Sequence, residues 1–339
     1  NQLINSKKLK INFSLNNTFE NYLISKIEEF IPKSITTHYD SFINFINKQN
    51  LPKKPRIIYT NNSFFLNDFF NFYTAQNILN NKTKYIIGQH GGGYNIGKYH
   101  FIKNHEISIS DKYISWGDFN DKNSISGSIL KSSKFHKLKS KYVYQSDLLY
   151  VTNAWENFPT WSLHLNGSSF KKYSLNREIF LNNLNSNILN NINIRLYKHS
   201  SYEIQKKYWI KEYPNLKIDL GIKDIFRSFL SAKIIITDFL YSTTYLESIY
   251  LDIPTIIIND KNLFKLESES KKVFDQLKNA NIYFDSYLDA ALHINQVYKN
   301  INKWWLEDSV VKVKRTFLDK YCKNKKNFNF SKFLNKYKN

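Results

Sequence analysis

Residues 85–119 read YIIGQHGGGYNIGKYHFIKNHEISISDKYISWGDF. A short β-branched run ends at Gly88, and five of the nine glycines of the chain (Gly88, Gly91, Gly92, Gly93, Gly97) fall within ten residues. Glycine is costly to order and collects where the backbone takes positive φ or lets another group come close. Upstream, 56–60 reads as a short buried strand, and 66–80 carries Phe69, Phe70, Tyr73 and Ile78 at helical spacing. Residues 84–87 read as the next strand, with the glycine loop at its carboxyl end. Strand, helix, strand, glycine loop is the order of a parallel α/β sheet, whose ligands bind at the carboxyl ends of the strands.

Toward the amino terminus, 9–13 reads as a strand and 17–30 and 41–48 as helices, with the proline-containing 51–55 as a linker. Residues 120–145 are rich in Ser and Lys and aperiodic, which predicts a crossing between domains. Beyond it a second alternation follows: strand 147–152, helix 175–189, strand 193–197, helix 225–230, strand 233–237, helix 245–251 and strand 255–258. Helices 285–300 and 303–321 close the chain. The expected organisation is an amino-terminal α/β domain over 1–135 that carries the glycine loop, a second over 136–310, and a closing helix with a basic tail over 311–339.

The 339 residues are 42% hydrophobic and 17% aromatic, enough for two buried cores. The longest apolar runs are far shorter than the ~20 residues a bilayer requires, and no signal peptide is read at the amino terminus. A single cysteine, Cys322, excludes an intramolecular disulfide and a cysteine zinc site, and a reducing cytoplasm is the expected compartment. The formal charge of +21 is attractive to nucleic acid, anionic lipid or anionic substrates. The lysines are scattered, with no arginine-rich helix, so nucleic acid is not the expected partner.

Three constellations carry chemistry. The first is the loop itself, Gln89-His90-Gly91-Gly92-Gly93-Tyr94, with His100, Glu106 and Asp111 behind it. Successive glycine N–H groups can cradle an anion, His90 is the obvious base, and Glu106 or Asp111 the obvious carboxylate. It is neither a Walker loop nor a dinucleotide fingerprint. His90, His100, His105 and Glu106 match no zinc spacing, and no metal is expected. The second is Lys198-His199 at the end of a strand. The third is Thr237-Asp238-Phe239-Leu240-Tyr241-Ser242-Thr243-Thr244-Tyr245-Leu246-Glu247, a buried strand running into a hydroxyl-rich turn that opens a helix. That turn suits an anion, and it equally suits plain helix capping by Ser242 or Thr243.

A strand ending in Lys-His, then a strand, Asp238, the Ser/Thr turn, a helix with Glu247 and the strand entered at Pro254-Thr255 together resemble the nucleotide half of GT-B glycosyltransferases. They look most like bacterial enzymes of surface-polysaccharide assembly, including those that use CMP-activated acidic sugars. Residues 224–247 are also similar to polyol-phosphate transferases of the CDP-glycerol type. The GQHGGGY and SDKYISWG runs resemble a family of transferases found with surface-carbohydrate genes.

The resemblance implies two Rossmann-like domains facing across a cleft, the first of them truncated, and no obligatory metal or cofactor. Lys198, His199 and Asp238 would meet the nucleotide, and Ser242, Thr243 and Thr244 its phosphates. Glu247 would reach the ribose or base. Ser200 stands where the related motif has proline. The glycine loop (Gln89, Gly91, Gly92, Gly93, Tyr94) would form the opposing wall, with His90, Glu106 or Asp111 as base or nucleophile. The expected partners are a nucleotide sugar and a glycan or lipid-linked glycan acceptor, with peripheral contact at the inner face of an anionic membrane as an open option. Polyol-phosphate transfer, and a basic nucleic-acid- or membrane-binding protein, are the alternatives.

Overall fold

The computed structural model describes residues 18–100, 102–119, 121–127, 129, 146–153, 167–197, 202–323 and 329–336. The expected strand at 9–13, the expected domain boundary at 135/136, and Lys198, His199 and Ser200 lie outside the described residues. The chain divides into two compact units, Asn1–Gly88 with Phe330–Asn339, and Gln89–Asn329.

The first unit runs α1 (Thr18–Phe30), α2 (Tyr39–Asn47), β1 (Ile57–Thr60), α3 (Asp68–Asn81) and β2 (Lys84–Gly88), with a further helix at Phe330–Asn335. β1 and β2 pair in parallel, Ile57 opposite Lys84 and Thr60 opposite Ile87. α3 begins where the Asn67 side chain accepts from the Phe70 N–H at 3.0 Å, and it ends where Lys82 turns left-handed at φ 54°. Aromatic side chains join α2 to α3, Phe42 meeting Phe72 edge-on at 5.2 Å. These elements follow the expected pattern within two residues of each boundary.

The second unit opens with α4 (Ile102–Ser108), β3 (Lys112–Ser115) and β4 (Ser124–Ser126), the two strands pairing in parallel. Then follow β5 (Ser146–Val151), α5 (Gly167–Asn182), α6 (Ser186–Leu189), β6 (Ile192–Arg195), α7 (Tyr202–Glu212), β7 (Lys217–Asp219), α8 (Ile225–Leu230) and β8 (Ala232–Thr237). The unit continues with α9 (Thr244–Tyr250), β9 (Thr255–Ile258), α10 (Ser268–Asn279), β10 (Tyr283–Phe284), α11 (Tyr287–Val297), α12 (Ile301–Trp305) and α13 (Asp308–Tyr321). Six strands form one parallel sheet in the order β10-β9-β8-β5-β6-β7. β8 and β9 read as unbroken Ile runs because a strand inside a parallel sheet is buried on both faces. From β5 the chain winds outward through β6 and β7, then returns to β8 on the other side of β5. The strand order therefore reverses between β5 and β8, the place where such sheets open a ligand crevice.

α5 starts at Gly167, where the sequence pattern predicts a helix only from 175. Its buried face includes Arg177 among Tyr173, Phe180 and Leu181, so an apolar count misses its first turns. α7 and α10 have no counterpart among the expected elements; α10 nonetheless carries Val273, Phe274 and Leu277, all buried, at helical spacing.

Candidate functional site

The glycine loop groups with the six-stranded sheet because its backbone is laid against the turn after β8. A Cβ on Gly92 would lie 2.1 Å from the Ser242 carbonyl oxygen, so no other residue fits there. A Cβ on Gly97 would run into the Tyr241 ring in the same way. Gly91 stands 4.0 Å, by its Cβ position, from the Thr243 methyl, and Gly93 takes φ +84°. The loop is fastened further by Glu267 N–H to Ile96 O at 2.7 Å, Lys98 N–H to Lys265 O at 2.9 Å, and Ser270 Oγ to Ile96 O at 3.0 Å. Gln89, buried, fixes its start: Nε2 donates to Gly91 O at 2.9 Å, and Oε1 accepts from the Trp116 N–H at 2.9 Å.

Within this loop three expected residues come together. Tyr94, 2% exposed, places its hydroxyl 2.8 Å from Glu106 Oε1 and 2.9 Å from His90 Nδ1. Glu106, on α4, is 0% exposed, and its Oε2 is buried without a partner. His90 Nδ1 stands 3.5 Å from Glu106 Oε1, and the histidine side chain remains 32% exposed. Solvent therefore reaches one end of the chain of groups and not the other. Burial, then the Glu106 charge, raises the Tyr94 hydroxyl far above the ordinary phenol range, so it keeps its proton. His100 joins from behind, its ring 4.2 Å from that of Tyr94. Burial first, then His90, holds it down to about 4, and it stays neutral. Asp111 is not part of this cluster: it is exposed at the amino-terminal end of β3.

The turn after β8 has two layers. Asp238, 1% exposed, is enclosed by tyrosines: Tyr150 donates to Oδ2 at 2.5 Å, Tyr173 to Oδ1 at 2.6 Å, and Tyr287 to Oδ2 at 3.3 Å. The buried guanidinium of Arg177 lies over the Tyr173 ring at 4.3 Å and lends its charge to the cluster. Burial raises the Asp238 carboxyl even so. Asp238 is thus a brace that ties β5, α5 and α11 to the end of β8. Above it Ser242 accepts from the Thr244 N–H at 3.0 Å, and its hydroxyl donates to Thr244 Oγ1 at 2.7 Å. Thr243, at the helix start, makes no side-chain cap. The capping reading of the turn therefore holds for Ser242, and Thr243 is half-buried with its methyl toward Gly91. Glu247, on α9, is buried.

The sequence reading did not pick out Tyr150, Tyr173, Tyr287 or Arg177. They come from three separate elements, and only folding brings them to one carboxylate. Among the described residues no three His, Cys, Asp or Glu side chains are grouped as metal ligands, and no helix is long and apolar enough to cross a membrane.

A family model described as LIC12162 family transferase matches residues 1–335. No curated protein sequence matches the chain. Among solved structures, the wall teichoic acid polymerase TagF is similar at 13% identity and a TM-score of 0.44, over 87% of this chain and 83% of that one. HepE of Anabaena, solved with UDP and glucose, is similar at 10% identity and a TM-score of 0.47, over 96% of this chain and 84% of that one.

Proposed function

Because the chain belongs to the LIC12162 family of transferases, we propose that it is a GT-B-type glycosyltransferase that moves a sugar from a nucleotide donor to a surface glycan, with His90 as the base. One observation carries this reading: a solvent-reaching imidazole, backed by a buried carboxylate, stands on a glycine loop held against the turn at the switch point of a parallel sheet. The donor nucleotide belongs at the carboxyl ends of β5 and β8, with Thr243 and the backbone N–H groups of the Ser242–Thr244 turn toward its phosphates. The acceptor hydroxyl belongs beside His90, and a cavity of about 440 Å³ lined by Asn95, Lys98, His100 and Lys103, large enough for a sugar, opens on the same loop.

In the step itself, His90 takes the proton of an acceptor hydroxyl. That oxygen bonds to the anomeric carbon, the bond to the donor phosphate oxygen breaks, and the nucleotide leaves with the electron pair. The chain's own cations and N–H groups receive the charge, so turnover is expected to survive chelation of divalent metals. Lys198 and His199 remain candidates for the nucleotide contact. The same base serves attack at phosphorus, so a polyol phosphate is the second group to assay.

The test has two parts. Thermal shift against CMP, CDP, UMP, UDP and a DNA oligonucleotide identifies the donor class; stabilisation by CMP or CDP alone supports the cytidine reading. His90→Ala is expected to cut kcat by about 10³-fold with the melting temperature unchanged. Full turnover in that variant would remove His90 from the chemistry.

A further inference from the structure

We propose that Tyr94 is a positioning residue that fixes the tautomer of His90, handing the imidazole a proton-bearing Nδ1 and leaving Nε2 as the basic nitrogen. This rests on the reading of His90 as the base. A tyrosine hydroxyl has one proton and can give it to one neighbour only. Tyr94 gives it to Glu106 Oε1, 2.8 Å away. The oxygen of Tyr94 then turns its lone pair toward His90 Nδ1 at 2.9 Å, and that nitrogen must carry a hydrogen. Glu106 cannot do this directly: its Oε1 is 3.5 Å from Nδ1, too far for a hydrogen bond.

The Glu106 carboxyl is closed to water and its Oε2 has no partner, so the bond from Tyr94 is the one that orients it. Tyr94 cannot short-circuit the relay by ionising, since burial and Glu106 keep its proton in place. The opposite direction of the chain would need a neutral Glu106 donating to Tyr94 and Tyr94 donating to Nδ1. It would present Nε2–H, an acid, to the substrate.

Long-range ¹H–¹⁵N correlation on the full chain, labelled in its eight histidines, reads the tautomer without any substrate, and a His90→Gln spectrum assigns the signal. The wild type is expected to show neutral His90 protonated at Nδ1. Tyr94→Phe, which fills nearly the same buried volume, is expected to shift the ring toward the Nε2–H form. The same variant should lower kcat by about 10²-fold while the KM for donor changes less than about twofold. A wild-type His90 protonated at Nε2, or a Tyr94→Phe enzyme with unchanged tautomer, overturns the proposal. Failure of the wider reading looks different: His90→Ala would retain turnover while the wild-type tautomer remained Nδ1–H.

Discussion

The second unit buries two carboxylates under tyrosine hydroxyls, and they are built for opposite ends. Asp238 has both oxygens satisfied by three tyrosines and a buried arginine nearby, and nothing in its cluster faces solvent. Glu106 has one tyrosine, one empty oxygen, and a histidine that carries the chain of groups to the surface. A fully satisfied buried network rigidifies. A partly satisfied one leaves a buried oxygen without a partner beside the His90 ring. Counting the occupied oxygens of each carboxylate therefore separates the brace from the proton-handling site.

The largest expected effect separates the two by stability. Asp238→Ala leaves three buried hydroxyls without their acceptor and a buried guanidinium without a nearby opposite charge, and should cost roughly 3–5 kcal/mol in denaturant unfolding. Glu106→Gln should cost about 1 kcal/mol by the same measurement while cutting turnover. Equal losses would erase the distinction. A middle-sized effect tests how the clusters are joined. Gly92→Ala pushes a methyl into the Ser242 carbonyl, so the loop must lift off the turn, at roughly 1–3 kcal/mol. Its melting temperature and its kcat should fall together.

The smallest effect is in the pH dependence, where the signs differ. His100, in the open cluster, is lowered to about 4 from its ordinary 6.5. The unfolded chain takes up its proton first, so this stability is present above about 6.5 and is lost as pH falls toward 4. The Asp238 carboxyl is raised, so its contribution is present at low pH and is lost as pH rises through its folded value. His293, lowered to about 4 by burial alone, adds the same slope as His100 from outside both clusters. His100→Phe should therefore recover only part of the acid loss, about 2 kcal/mol between pH 6.5 and 4.5. An unchanged slope in thermal melts would place the acid sensitivity elsewhere.

Most of the architecture was legible because the six-stranded sheet is parallel. Its buried strands, 234–236 and 255–258, must be apolar on both faces, and short Ile runs between polar turns have few other readings. The first turns of α5 were lost because it hides Arg177 inside and begins Gly-Ser-Ser-Phe. For the site, His90, Glu106 and Tyr94 could be selected from the loop by residue type and proximity in the chain. Asp111 looked equivalent to Glu106 on that basis, yet it stands exposed before β3 while Glu106 is carried inward by α4. The role of Asp238 was not legible, since its partners come from residues 150, 173 and 287.

By itself the sequence determined that the chain folds as parallel α/β units, that its glycines follow a strand end, and that titratable groups gather behind them. Those features are local: strand burial, backbone freedom and short spacings along the chain. Only the tertiary structure decided that the glycine loop lies directly against the Ser/Thr turn, where Gly92 admits the Ser242 carbonyl at a distance no side chain allows. It also decided which carboxylate is sealed and which stays unsatisfied, since hydrogen-bond saturation depends on groups that arrive from distant parts of the chain.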